Sequence, residues 1–314
     1  KMIVPLLTRL RSSQPLHGIE MKRFYGYAGI SRQGYFQALG RQRAEEQMMS
    51  EIESLVEVYR RDKDKRAGSR TLYHCLDIKQ RYAIGVTKFE RLMKDYGLTL
   101  RPLRIRVVTT QSSRQSWNYP DRSKGLLVNG INQLVVGDLT YVSYGKDRCF
   151  LFCLTDVYSA RIVGHDWSGR MRAQDAKRAF DQWVNLRGRT SLKGCIHHTD
   201  GGSQYFSDLY LEAMEQGCIR VSVARSCLDN GFAEQRNGLL KHHLVPVMKP
   251  GLNGRALQKE LSRIMRVYNY ERKQEKLGWK SPVEYERYWA DRSDRPLLRL
   301  YDREQGTRTQ RIGF

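Results

Sequence analysis

Residues 132–142, "NQLVVGDLTYV", decide how this chain is read. The run is apolar enough for a strand and is interrupted by one carboxylate, Asp138. With side chains alternating at period two, Val136, Asp138 and Thr140 share one face. Two further carboxylates stand at comparable places. Asp200 closes "GCIHHTD" (194–200) and precedes "GGSQY" (201–205), which puts it at a strand end against a Gly-Gly turn. Glu234 lies in "LDNGFAEQRNGLLKHH" (228–243), where Asp229 or Asn230 is placed to cap a helix start. On that helix Glu234, Asn237 and Lys241 are spaced i, i+3, i+7 and share a side, with Phe232, Leu239 and Leu240 roughly opposite. Any one of these residues alone is explained by solvation. Three carboxylates, each adjoining a different core element, point to one site.

Working outward, the same region reads as strands at about 132–143, 148–155 and 160–167, a helix at 173–186 and a strand at 193–199. A helix at 205–216, a strand at 219–224 and a long helix from about 230 follow. The helix at 173–186 carries Ala176, Ala179, Phe180, Trp183 and Val184 as a broad apolar stripe. Three hairpin-linked strands followed by alternating helices and strands predict an α/β fold, a mixed sheet with helices on both faces.

The motifs "VVGDLTYV" (135–142), "DVYSARIVG" (156–164), "HTDGGSQY" (198–205), "LDNGFAE" (228–234) and "VYNYERKQEKLGWKSPVEY" (267–285) resemble, in this order, those of insertion-sequence transposases of the IS-three type. These belong with the DDE transposases and retroviral integrases. The resemblance covers about residues 50–286 and implies an RNase H-like catalytic core at 131–286. It implies that Asp138, Asp200 and Glu234 bind two Mg²⁺ ions, with Mn²⁺ able to substitute, Asp138 bridging both and each of the others completing one. Lys241 matches a family lysine that contacts DNA near the cut. Asn230, Asn237 and Arg272 join it as candidate DNA contacts, although the segment holding Tyr268, Asn269 and Arg272 is equally explained by core packing. Gly201 stands where the family commonly has arginine, and Val136 where it commonly has tryptophan. The gap between Asp200 and Glu234 is slightly shorter than usual, with the shortfall in the loop "ARSCLDN" (224–230).

The resemblance also implies a reaction. It is metal-dependent cleavage and strand transfer at the terminal inverted repeats of an insertion sequence, by a multimer that pairs the ends and inserts them into target DNA. An upstream OrfA-type segment, separate or fused, is expected as a partner, since no heptad run appears here. The alternatives are a catalytically inactive DNA-binding regulator derived from a transposase, and an RNase H-type nuclease that cuts without joining.

Composition supports a polyanionic partner. The 314 residues carry a net charge of +22, divided as +13 over residues 1–130, +3 over 131–250 and +6 over 251–314. Charge is thus concentrated in the flanks, around a nearly neutral middle that holds the carboxylates. No stretch approaches the ~18 apolar residues of a membrane span, so a cytoplasmic, nucleoid-associated protein is expected. The six cysteines include no C-x-x-C pair and read as reduced core thiols. His197 and His198 beside Asp200 do not make a zinc site, because adjacent strand residues point to opposite faces.

Before the core, Ser31 is placed to cap a helix carrying Tyr35, Phe36 and Leu39, with Gly40 as its stop, within an N-terminal helical segment (1–45). Residues 46–100 predict three short helices, the last with Val86, Phe89, Leu92 and Met93 at helical spacing and ended by Gly97. Its exposed Lys88, Arg91 and Lys94 suit a helix-turn-helix-like DNA-binding region, the alternative being a small bundle with solvated charges. Residues 101–130 read as a basic linker whose Trp117 and Tyr119 either stack on nucleic acid or pack on the core. Residues 287–314 read as a basic tail, bound to DNA, added as a strand to a partner, or disordered.

Overall fold

The computed structural model describes residues 25–26, 29–101, 118–144, 147–224, 231–244, 254–300 and 310–312. The chain opens on helix α1 (Arg32–Asp62), followed by α2 (Ser69–Cys75), α3 (Ile78–Tyr82) and α4 (Val86–Asp95). Ser31 caps α1, its Oγ accepting from the Gly34 N–H at 2.9 Å. The expected stop at Gly40 is corrected: α1 runs through it for 31 residues. One interior glycine costs about 1 kcal/mol relative to alanine. Strong helix formers lie on both sides, and packing of Met49, Ile52, Val56 and Tyr59 rewards continuation. These side chains share a core with Leu72, Tyr73, Ile78, Phe89, Leu92 and Met93. Helix α4 ends in a Schellman turn, with the Leu98 N–H donating to Met93 O, the Gly97 N–H donating to Lys94 O, and Gly97 at φ +71°.

The core follows: β1 (Leu127–Val128), β2 (Leu134–Tyr144), β3 (Asp147–Asp156), β4 (Ile162–Ser168), α5 (Ala173–Arg187) and β5 (Ile196–Thr199). Then come α6 (Asp208–Gln216), β6 (Arg220–Val223), α7 (Gly231–Leu239), α8 (Gly254–Arg266), α9 (Pro282–Trp289), β7 (Leu297–Arg299) and β8 (Gln310–Ile312). The main sheet has the order β4-β3-β2-β5-β6. Strands β2, β3 and β4 pair antiparallel, and β2, β5 and β6 pair parallel. This is the RNase H-like arrangement.

One face of the sheet packs Val135, Phe152, Leu154 and Val163 against Phe180 and Trp183 of α5 and Tyr210 and Met214 of α6. The other packs Leu151, Cys153 and Ile162 against Leu240, Leu261, Ile264 and Tyr268, which belong to α8 and the π-helical turns that follow α7 and α8. The motif "DVYSARIVG" acts largely as structure. Glu286 of α9 receives Arg161 and Arg187, and Ser159 donates to it at 2.8 Å. Burial raises the Glu286 carboxyl, but the two guanidiniums outweigh burial and hold it below its usual range. On the edge strand, the Asn269 amide exchanges two bonds with the Ile162 backbone, at 3.0 and 2.9 Å. It supplies the pairing that a sheet edge otherwise lacks. Tyr268 is fully buried and donates to Ala160 O at 2.9 Å.

The helical region is seated on the core through Asp64, which is 0% exposed. Its carboxylate accepts from Arg272 Nε at 2.9 Å and faces His243 Nδ1 at 3.1 Å. Burial raises this carboxyl, yet its bonds to His243 and the charge of Arg272 bring it below the ordinary value. His74 stacks on Trp279 at the same joint, centroids 4.0 Å apart. Tyr119 packs on Phe206, while Trp117 lies outside the described residues. Leu297–Arg299 joins a three-stranded sheet with β1 and β8, and Leu298 and Leu300 are buried.

The approach of α5 to the sheet depends on Gly164, where an added Cβ would lie 2.0 Å from the Ala179 carbonyl oxygen. Because that atom is backbone, no side-chain rotation relieves the clash. Gly164→Ala is expected to destabilise the chain by at least about 1–3 kcal/mol, seen as a lowered urea midpoint with unchanged slope. A wild-type midpoint would show that α5 is free to shift.

Candidate active site

Asp138 sits midway along β2, on the face shared with Val136, opposite Cys153 in the antiparallel register. The parallel pairing of β2 with β5 runs through Val136↔His198 and Gly137↔Thr199. The next residues along the two strands are Asp138 and Asp200. Adjacent strands lie about 4.8 Å apart, so this register brings two carboxylates together at the end of β5. Gly137 makes that spacing possible on the opposite face, where an added Cβ would lie 2.8 Å from the His197 ring. Just past Asp200 the chain turns at Gly201 with φ +83°, a conformation that glycine adopts freely and other residues rarely. Glycine at this departure from the family pattern therefore has a local physical reason.

Helix α7 lies over the same face. Ala233 is buried with Val136, and Asn237, 4% exposed, donates from Nδ2 to Asp138 Oδ2 at 2.7 Å. The other Asp138 oxygen accepts from the Leu139 N–H at 2.9 Å. Glu234 stands in α7, one turn before Asn237. Its side chain, like Asn230, lies outside the described residues.

The electrostatics suit a cation. Burial raises the Asp200 carboxyl above its usual range against the opposing Gly202 N–H, which donates to it at 3.1 Å. No lysine or arginine pairs with Asp200 among the described residues. Burial and then the Asp138 charge push the Cys153 thiol up, so it does not supply a thiolate. Burial also raises the Tyr205 phenol, and Asp200 adds to the shift. Three buried polar atoms find no partner among the described residues: Asn237 Oδ1 on the α7 side, and Thr199 Oγ1 and Tyr205 Oη on the other face of the sheet. Two carboxylates on neighbouring strands, with the buried Asn237 amide oxygen beside Asp138, fit a hard divalent metal.

Not every candidate residue joins this site. Asn237, expected to contact DNA, is 4% exposed and donates to Asp138. Arg272, also expected to contact DNA, is 8% exposed with its guanidinium bonded to Asp64. Core packing is the alternative that the structure favours for the 268–272 segment. Lys241 is exposed in a π-helical turn, Leu240–Leu244, that continues α7. The change of helical period there breaks the simple i, i+7 alignment with Glu234. Lys88, Arg91 and Lys94 are exposed together on α4. His197 and His198 point to opposite faces, the first bonded to Val135 O and Tyr210, the second to Ser222. The orphan atoms at Thr199 and Tyr205 had no signal in the sequence beyond adjacency to Asp200.

The integrase core domain family matches residues 129–227. The transposase of insertion sequence element IS629 from Shigella sonnei is 33% identical over 206 residues, covering 64% of this chain and 67% of that protein. The chain belongs to the insertion-sequence transposases. A putative transposase of element IS986/IS6110 from Mycobacterium tuberculosis (strain ATCC 25618 / H37Rv) is 34% identical over 170 residues, 52% of this chain. The match spans 61% of that relative's length. Among solved structures, the HTLV-2 integrase catalytic core domain in complex with magnesium is 20% identical, over 52% of this chain and 99% of that one, with a TM-score of 0.41.

For this transposase family member, the raised Asp200 carboxyl means that the folded state binds a proton more tightly than the unfolded chain. Stability is therefore lost as pH rises from the unfolded value through the folded one. Asp200→Asn is expected to raise the metal-free melting temperature at pH 7 by about 2–4 °C. It should also abolish stabilisation by Mg²⁺, which for the wild type reaches about 2.7 kcal/mol at a hundredfold excess over Kd. A lower melting temperature with Mg²⁺ stabilisation retained would remove Asp200 from the site.

Proposed function

We propose that this chain is a DNA transposase that cleaves and joins strands at the ends of an insertion sequence, using Asp138, Asp200 and Glu234 as its divalent-metal carboxylates. The observation that carries this reading is the β2–β5 register. It brings Asp138 beside Asp200 while Asn237 ties the Glu234 helix over the same point. The three residues would hold two Mg²⁺ ions, which when bound supply Lewis acidity at the attacking and leaving oxygens and neutralise charge developing at phosphorus.

The chain's own groups have defined parts. Asn237 fixes the orientation of Asp138, as outer hydrogen bonds do for metal ligands generally. Lys241, exposed just beyond α7, is placed to pair with a phosphate. Lys88, Arg91 and Lys94 present a cationic face suited to duplex DNA. Nearby groups do not compete as nucleophiles. Burial lowers His197 to about 4, leaving it neutral at pH 7, and both its ring nitrogens are engaged.

The substrates proposed are the terminal inverted repeats and target DNA, held by more than one copy of the chain, with an OrfA-type partner or segment. No described helix is long and apolar enough to cross a membrane.

The test is incubation of the purified chain with labelled DNA carrying candidate element ends, in Mg²⁺ or EDTA. Metal-dependent nicking and end-joining are expected. Asp138→Asn and Glu234→Gln should reduce both by about a thousandfold or more, equivalent to several kcal/mol of lost metal-borne stabilisation. Strand joining by Asp138→Asn at the wild-type rate would sink the assignment. Cutting without joining would favour the nuclease alternative.

A further inference from the structure

A cleft of about 470 Å³ opens between the helical region and α7, walled by Ser69, Arg70 and Glu90 on one side and by Arg236, Lys273 and Lys276 on the other. Its volume suits a nucleotide-sized group. Arg236 is unusual. It is 4% exposed, and its guanidinium donates only to neutral acceptors: Gln274 Oε1 at 2.6 Å, Tyr268 Oη at 3.3 Å and Gln235 Oε1 at 3.3 Å. It lies over the Phe232 ring, 5.1 Å from the centroid, and its Nε has no partner. No carboxylate pairs with it among the described residues. A buried charge without a counter-ion is unfavourable unless something outside the chain completes it.

The rest of the lining carries both signs, with cations in excess. Arg272 also borders the cleft but is neutralised by Asp64. Lys273 lies 3.5 Å from Asp77, which is outside the lining, and Lys276 donates to Gln235 Oε1 at 3.0 Å. Arg70 holds Glu90 and Glu275 at the rim, at 2.8 and 3.5 Å. The floor, which Arg236 provides, therefore carries positive charge that the chain does not balance. Position adds a second argument, since one wall belongs to the α2–α4 unit and the other to the helix that carries Glu234.

We propose that this cleft is a binding site for a backbone phosphodiester of the DNA, gripped between the helical region and the catalytic helix, with Arg236 as its buried positive floor and Lys273 and Lys276 at its mouth. This rests on the transposase reading and adds a contact to it. The chain's own missing counter-charge is then supplied by the substrate. A strand seated there is held on one side by the α2–α4 unit and on the other by the element that positions Glu234, which couples end recognition to placement of the scissile bond.

The test is fluorescence anisotropy of the full chain with labelled duplex DNA, over roughly 50–300 mM KCl. Lys273→Ala/Lys276→Ala, remote from the carboxylates, should weaken binding about tenfold near physiological salt and lower the slope of log K against log salt by about 1–2. Glu275→Gln should tighten binding. Arg236→Gln should lose DNA affinity without lowering the melting temperature of the free chain, whereas an arginine serving only structure would lower it. If the wild type binds DNA and the lysine pair binds with the same affinity and slope, the cleft is not a phosphate site. Failure of the wild type to bind any DNA would instead overturn the transposase reading beneath it.

Discussion

The hydrogen bond from Asn237 to Asp138 joins the two halves of the site, and much of the molecule exists to make it short. It requires β2 to present Asp138 on the face toward α7, which the alternation with Val135 and Leu139 on the opposite face secures. It requires α7 to lie close, which the burial of Ala233 and Leu240 provides. It leaves Asn237 Oδ1 without a partner among the described residues. A folded chain tolerates orphaned buried oxygens poorly, at about 1–3 kcal/mol each.

Burial of polar groups recurs at the joint between the helical region and the core. Asp64 is completely buried and is bonded from two distant segments, by the Arg272 guanidinium and the His243 ring. Such a pair contributes little net stability, but losing one partner strands the other as a buried charge. The joint is therefore specific rather than strong. It orients α2 and α4 relative to the π-helical turn in which Lys241 sits. Arg236, a few residues earlier, has no such carboxylate among the described residues, and that contrast gives the neighbouring cleft its positive floor.

Most of the core was legible in the sequence because its signals are local. Period-two alternation around Asp138, the apolar stripe on Trp183 and Phe180, and the Gly-Gly turn after Asp200 each depend on near neighbours. They located the strands and helices to within a few residues. The first helix was not legible in full. Gly40 is a valid local stop signal, overridden by packing at Met49 and Ile52 that no local rule contains. The direction of Arg272 and Asn237 was hidden for a related reason. A polar side chain on a half-buried helix reads the same in sequence whether it meets solvent or a partner a hundred residues away.

By itself, then, the sequence determined the order of the sheet and helix elements from β2 to β6, the positions of three candidate carboxylates and the basic flanks, since these follow from residue type, periodicity and charge count. Only the tertiary structure decided which polar residues face inward. The β2–β5 register set Asp138 beside Asp200, the docking of α7 gave Asn237 to Asp138, and the packing of the helical region committed Arg272 to Asp64. Each outcome is a long-range contact between groups whose desolvation must be compensated, and the partner that compensates it is chosen by the fold and not by neighbours in the chain.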